Sequence, residues 1–429
     1  MRRYARYKPT GISWLPEVPD GWSVAKVRQY FRPRSEKVSE KDFPPLSVAK
    51  IGVVPQLSDV AISMAEGDTR KLVREGDYVV NSRSDRKSSC GIAPRDGSVT
   101  TISIVLEPRN IHRNYVHYLF RSVPWVEEFY RNGRGIVADL WTTRYQEMRN
   151  MMFPYPPLPE QQTIAAYLDS KCGKIDRLVA AKEKEVALLK ELKQSMIAEA
   201  VTGKIKTHAE TQRGRERGER RPMKPSGIPW LPEVPEGWEV RRVSSFLKVK
   251  DAPSAPNEEL LSVFLDRGVI RFSAGGEKRA NATSKDLSKY QLVEPGDFVM
   301  NNQQAWRGSV GVSSYRGIVS PAYFVIQMAD CVNPHYANYA FRSRPFVSVY
   351  EICSRGVGSI QRNLIWNMFK GQPLPLPPLP EQREIVAYIE ARAAKIDAAV
   401  GKLEAEVAAL KEYRERLVAD VVTGQRKVA

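Results

Sequence analysis

The stretch PPLPEQQTIAAYLDSKCGKIDRLVAAKEKEVALLKELKQSMIAEAVTG, Pro156–Gly203, decides the fold. It returns as PPLPEQREIVAYIEARAAKIDAAVGKLEAEVAALKEYRERLVADVVTG at Pro377–Gly424, 221 residues later. Each copy reads as one long helix. Pro159 and Pro380 suit a first helical position, where φ near −65° is already right and the missing N–H would be unpaired anyway. Apolar residues then recur at helical spacing, from Ile164, Leu168, Ile175, Val179, Val186, Leu189 and Met196 in the first copy to Ile385, Ile389, Ile396, Val400, Leu403, Val407, Leu410, Leu417 and Val421 in the second. Gly203 and Gly424, each after a threonine, suit the left-handed residue that closes a helix. About 43 residues at about 1.5 Å each predict rods of about 65 Å.

From Ile396 to Val421 the apolar spacing alternates threes and fours, the seam of a coiled coil, with Arg414 as the polar intrusion. In the first rod Lys182 and Lys193 stand at two seam positions and Gly173 weakens the early part. The arrangement expected is two seams buried on each other, antiparallel about a pseudo-twofold axis. The alternative is two surface helices, each packed on its own domain.

The repeat extends outward from the rods. GISWLPEVPDGW at Gly11–Trp22 returns as GIPWLPEVPEGW at Gly227–Trp238, 216 residues later. YLFRS from Tyr118 matches YAFRS from Tyr339, and EGDYVVN ending at Asn81 matches PGDFVMN ending at Asn301. Most of the sequence between these anchors is not recognisably alike. The middles, about residues 24–155 and 240–375, mix turns with β-rich runs such as Asp77–Val80, Thr101–Leu106, Asp297–Met300 and Ala322–Ile326, so each is expected to be a compact α/β domain. The division expected is an opening segment with a variable domain (1–155), a long helix (156–203), a charged linker (204–226), a second opening segment with a variable domain (227–376), and a long helix with a tail (377–429). The linker region Gly203–Ser226 carries eight basic residues against three acidic ones, the composition of a solvated tether. The fold class is α+β: two α/β domains separated by two long antiparallel coiled-coil helices, in a pseudo-twofold internal duplication.

The chain of 429 residues has 66 Lys and Arg against 49 Asp and Glu, a formal charge of +17. A polyanion is the first partner to suspect. Cys90, Cys172, Cys331 and Cys353 form no CxxC pair, and His112, His117, His208 and His335 have no zinc-finger spacing, so they read as reduced thiols and ordinary histidines. MRRYARYKPTG opens without an apolar signal core, and no run approaches the roughly 18 apolar residues of a membrane span. A cytoplasmic protein with no membrane partner is expected. No P-loop GxxxxGKS/T, HExxH or convincing Ser/His/Asp set is present, and no cofactor or metal site is read. Asn333-Pro334-His335-Tyr336 is similar to the Asn/Asp-Pro-Pro-aromatic loop of adenine methyltransferases. His335 replaces the second proline, however, and the duplicate place holds His112-Arg113-Asn114-Tyr115, so an ordinary helix start is the reading preferred.

Two proline-rich PLPEQ starts, Pro154–Gln162 and Pro375–Gln382, each lead into a long helix behind a GD-strand domain. With the GxxWLPxVPxGW openings, they resemble the repeated regions of Type I restriction-modification specificity subunits over nearly the whole chain. The resemblance implies a DNA-binding subunit without a catalytic centre, in which each variable target-recognition domain reads one half of a bipartite double-stranded DNA site and the helices act as a spacer. It implies as partners two S-adenosylmethionine-dependent adenine methyltransferase subunits, with restriction subunits for ATP-driven translocation and cleavage. Some Type IIB specificity chains share this architecture, and an autonomous methyltransferase or nuclease with unfamiliar motifs is the alternative of another class.

Base reading asks for Arg, Lys, Asn, Gln, Ser and Thr on loops, where paired donors and acceptors reach base edges and phosphates. Two places in each half fit. After the GD strand come Arg83, Ser84, Arg86 and Lys87 in the first half and Asn302, Gln303, Gln304 and Arg307 in the second. Upstream of the proline tail come Thr142, Thr143 and Arg144, and Gln361, Arg362 and Asn363. Asn81 and Asn301 read as strand-end caps, Trp306 as packed, and Trp22 and Trp238 as core anchors.

Overall fold

The computed structural model describes residues 3–56, 69–83, 86–135, 141–205, 221–251, 255–275, 286–356 and 362–428. The long helices run Leu158–Val201 and Leu379–Val422, each about 66 Å by the rise of an α-helix. Their first residues are Leu158 and Leu379, so Pro159 and Pro380 fall one place inside, still in the turn whose N–H groups need no partner. At the far ends Gly203 and Gly424 take φ +75° and +76°. At the first, the Gly203 amide donates to Ala200 O and the Lys204 amide to Glu199 O, so orphan carbonyls of the last turn are satisfied. Of the expected charged linker, residues 206–220 lie outside the described residues.

The chain forms two compact units, each built from both repeats. Unit 1 is Met1–Glu183 together with Glu404–Ala429, and unit 2 is Lys184–Leu403. In unit 1 the start of the first long helix lies antiparallel to the end of the second, with Asp176 paired to Arg414 at 2.7 Å, Lys182 to Glu406 at 2.5 Å and Glu183 to Lys411 at 2.8 Å. In unit 2 Lys193 pairs with Asp397 at 2.7 Å. The three polar seam residues Lys182, Lys193 and Arg414 therefore each meet a carboxylate of the other helix. Exposed pairs of this kind add about 0–1 kcal/mol each. Their effect lies more in specifying register and direction than in holding the helices together.

In unit 1 the four-stranded sheet has the order Cys90–Ile92, Tyr78–Asn81, Ser103–Pro108, Phe31–Pro33, all antiparallel. Its two inner strands are buried on both faces over most of their length. Tyr78, Val80, Ile104 and Leu106 face the main core, with Trp22, Phe120, Trp125 and Phe153, while Val79 and Val105 face a smaller core with Val73 and Val99. The main core is completed by Ile164 and Leu168 of the first long helix and by Leu417, Val418 and Val421 of the second. Unit 2 repeats the sheet as Val310–Val312, Phe298–Asn301, Tyr323–Met328, Leu247–Val249. Phe298, Met300 and Ile326 take its main face, and Val299 and Val325 the smaller core. The diverged middles thus keep one strand order and one burial pattern. Trp22 and Trp238 are core anchors, as their repetition implied, at 1% and 0% exposure.

The GD motif serves the same turn in both units. Asp77 Oδ2 accepts from the Arg74 amide and Arg34 Nε, both at 2.8 Å, and Asp297 Oδ2 accepts from the Glu294 amide at 2.8 Å and Lys250 Nζ at 3.0 Å. Each is a buried carboxylate paired with a cation from a neighbouring strand or its end, which offsets its desolvation.

His117, on the helix Arg113–Leu119, has its pKa pushed down to about 4 by burial, with Arg121 and Arg414 adding to the shift and Asp169 opposing it. The unfolded chain takes up this proton near pH 6.5 and the folded one only near 4. Stability from this group is therefore complete above pH 6.5 and is lost as the pH falls towards 4, by at most about 3 kcal/mol. Asn338 holds the corresponding place in unit 2, where its Oδ1 accepts from the Val312 amide at 3.2 Å. His117→Asn is expected to flatten this acid limb, read by melting at about pH 4.5 and about pH 7.5. An equal acid loss in variant and parent would rule the mechanism out.

No helix among the described residues is long and apolar enough to cross a membrane.

Candidate nucleic-acid interface

Asn81 ends its strand and turns the chain through its side chain, Oδ1 accepting from the Arg83 amide at 3.1 Å, and Asn301 does the same for Gln303 at 3.2 Å. These are the expected strand-end caps. The turns point each loop at the second predicted segment. In unit 1 Arg83 bridges Thr142, and the Thr143 amide donates to Ser82 O at 3.0 Å. In unit 2 the Leu364 amide donates to Asn302 O at 3.2 Å. The two candidate segments of each half, some 60 residues apart in sequence, are thus hydrogen-bonded neighbours just beyond the end of an inner strand of the sheet.

The candidates are not equally placed. Arg86, Lys87, Arg144, Arg307 and Asn363 are exposed, and Arg83, Thr142, Asn302, Gln303, Gln304 and Arg362 are partly so. Thr143 is a correction: it is fully buried and its hydroxyl donates to Phe129 O at 2.8 Å, so it braces the loop from below and offers nothing to a ligand. Asn302 Oδ1 is buried without a partner among the described residues. Ser84 and Gln361 lie outside the described residues. Lys87 is held to Glu127 at 3.1 Å with its ammonium 5.1 Å from the Tyr130 ring centroid.

Beside the joined loops of unit 1 is a cavity of about 680 Å³ lined by Arg34, Lys71, Arg83, Thr142, Arg144 and Tyr145 among others. Arg83 also borders a second cavity of about 240 Å³ with Arg70, Asn81 and Arg86. Arg34, Arg70 and Lys71 were missed by the sequence reading because they lie on or beside other strands, and only a known strand order brings them here. Burial lowers the pKa of Arg70, with Glu40 opposing, and that of Lys71, whose Nζ donates to Ser103 O at 2.7 Å. In unit 2 Gln291 makes the corresponding bond, Nε2 to Tyr323 O at 2.7 Å. The position braces two strands in both units and adds a positive charge only in the first. A wall of this charge beside projecting donors can neutralise phosphates while the loop side chains meet base edges.

The segment similar to a methyltransferase loop has a structural role. Asn333 Oδ1 accepts from the Tyr336 amide at 3.1 Å and so caps the helix Pro334–Arg342, while Tyr336 is buried.

The model of the Type I restriction modification DNA specificity domain matches residues 235–407. The EcoDI specificity subunit of Escherichia coli is 19% identical over 337 residues, 75% of this chain and 72% of that one. The MjaVIII specificity subunit of Methanocaldococcus jannaschii is 22% identical over 354 residues, 78% and 75% of the two chains. The EcoKI specificity subunit of Escherichia coli K12 is 22% identical over 444 residues, 95% and 90% of the two chains. A chain solved in work on complex assembly and conformational transition of the type I R-M system superposes with a TM-score of 0.65 at 15% identity, covering 94% of this chain and 98% of that one, and so shares the fold. With the duplicated sheet, the paired long helices and the matched specificity domain together, this chain is similar to the Type I restriction-modification specificity subunits.

Proposed function

We propose that the chain reads a bipartite, asymmetric site on double-stranded DNA, unit 1 taking one half and unit 2 the other. The observation that carries this is one scaffold with two sets of side chains. The same pair of segments meets beyond the end of the same inner strand in both units, presenting Arg83, Arg86, Thr142 and Arg144 in the first and Gln303, Arg307, Arg362 and Asn363 in the second. A duplicated frame with unlike readers suits two different half-sites. In this reading the long helices set the spacer and dock two DNA adenine methyltransferase subunits, restriction subunits join that assembly, and methyl transfer and cleavage belong to those cytoplasmic partners.

The test is the methylated motif written by the chain with its modification subunits. Arg86→Ala is expected to relax or weaken one half-site and Arg307→Ala the other, each by about 1–3 kcal/mol if a base contact is lost. Binding should also fall steeply with salt, because phosphate neutralisation releases counterions. Both variants altering the same half-site would overturn the assignment.

A further inference from the structure

In unit 2 the joined segments place a tryptophan under an arginine. Trp306 lies in the short turn Ala305–Arg307, fixed by buried Ala305 and by its own Nε1 donating to Gln303 O at 3.2 Å. Arg362 comes from the other segment, one residue before the strand Asn363–Leu364, and its Cζ lies 4.7 Å from the Trp306 ring centroid. Arg307 approaches the same ring at 5.7 Å. The Arg362 side chain is 32% exposed, and among the described residues its hydrogen-bond partner is Glu351, by a long contact of 3.4 Å from Nη1. A guanidinium stacked on an indole is fixed in plane while its edge donors stay free to point away from the ring.

We infer that Trp306 is a positioning residue that holds Arg362 flat, so that the guanidinium edge reads a guanine in the half-site served by unit 2. A fork of two N–H donors matches guanine O6 and N7 in the major groove, and a preset plane suits that bidentate contact. Two guanidinium groups from different segments approach one ring here. Unit 1 exchanges the residue types: Arg86 stands at the place of Trp306 and Trp141 at that of Arg362. Trp141 is tied down by Nε1 donating to Tyr130 O at 2.9 Å. The assignment is therefore to unit 2 alone, and it rests on reading unit 2 as a DNA reader.

The experiment uses the full chain with its modification subunits on a randomised duplex pool, reading the methylated motif by sequencing, with melting curves to show each variant folded. The parent should require a guanine at one position of the unit 2 half-site. Arg362→Lys keeps the charge but not the fork, and should lower preference for that guanine on the order of 10-fold while leaving every other position intact. Trp306→Leu should do the same, and Trp306→Phe, which keeps an aromatic face, should largely restore the preference. A motif without guanine in that half-site, or one unchanged by Arg362→Lys, would overturn the inference. So would a loss uniform across sequences with a shallower salt dependence, which marks a phosphate contact. If Arg307→Ala still alters that half-site when Arg362→Lys does not, the inference fails and the two-unit reading stands. If neither variant touches a half-site of its own, the reading itself fails.

Discussion

Gln382→Leu is expected to destabilise unit 2 by about 3–6 kcal/mol, a large share of the about 5–15 kcal/mol by which an ordinary domain is stable. Gln382 is fully buried at the start of the second long helix. Its Nε2 donates to Cys331 O at 2.8 Å and Pro377 O at 2.9 Å, and its Oε1 accepts from the Asn333 amide at 2.7 Å. One amide thus ties the proline tail to the first turn of the helix Pro334–Arg342. Leucine has nearly the same shape but leaves three backbone groups unpaired, Pro377 O buried and Cys331 O and the Asn333 amide part-buried, at about 1–3 kcal/mol for a buried group and less for the others. Gln161 makes the equivalent tie in unit 1, accepting from the His112 amide at 2.9 Å and donating to Pro156 O at 2.8 Å. With two groups left unpaired, Gln161→Leu should cost less. Denaturant unfolding of the two variants and the parent measures both, and an unshifted midpoint for Gln382→Leu would refute the account.

Gly203→Val and Gly424→Val should each cost about 2–5 kcal/mol. A residue with a Cβ in the left-handed region loses about 1–2 kcal/mol, and overpacking adds about 1–3 kcal/mol. A Cβ on Gly203 would sit 2.5 Å from the Pro235 ring, and one on Gly424 at 2.5 Å from the Pro19 ring, both rigid and backed by Trp238 and Trp22. Gly401 is the control. It lies inside the second long helix with nothing within 4 Å of a Cβ, so Gly401→Ala should stabilise by about 0.5–1 kcal/mol. Thermal melts of the three variants decide the matter, and equal shifts for all three would contradict it.

The rods were legible because helix limits and faces are local chemistry: Pro159 and Pro380 at one end, Gly203 and Gly424 at the other, and an apolar period between them. The acids that answer Lys182, Lys193 and Arg414 were not, since Glu406, Asp397 and Asp176 lie off the apolar stripe and acquire a partner only when the register is known. Strand positions such as Tyr78–Asn81 could be read from β-rich composition, yet their order could not. Strands buried on both faces carry no alternation to say which neighbour each one faces. The PLPEQ glutamines stood out as part of a repeated motif, while their purpose depends on where Cys331 and His112 arrive in space. The candidate segments were read as loops, but Asn363 opens the short strand Asn363–Leu364. The meeting of the paired segments, and the loss of Thr143 to the interior, required the third dimension.

That each unit draws on both repeats sets an order of events on the ribosome. Unit 2 is a continuous run, Lys184–Leu403, and its core can close as soon as that run has left the exit tunnel. Unit 1 holds residues made before that run, but its core lacks Leu417, Val418 and Val421 until the chain beyond Leu403 has emerged. The half made first is therefore the half completed last. Until then Ile164 and Leu168 lack these apolar partners, the kind of exposed surface that chaperones bind. Stalled nascent chains that expose residues up to 403 should give a protease-resistant unit 2 beside a still sensitive unit 1, and emergence of Glu404–Ala429 should protect both.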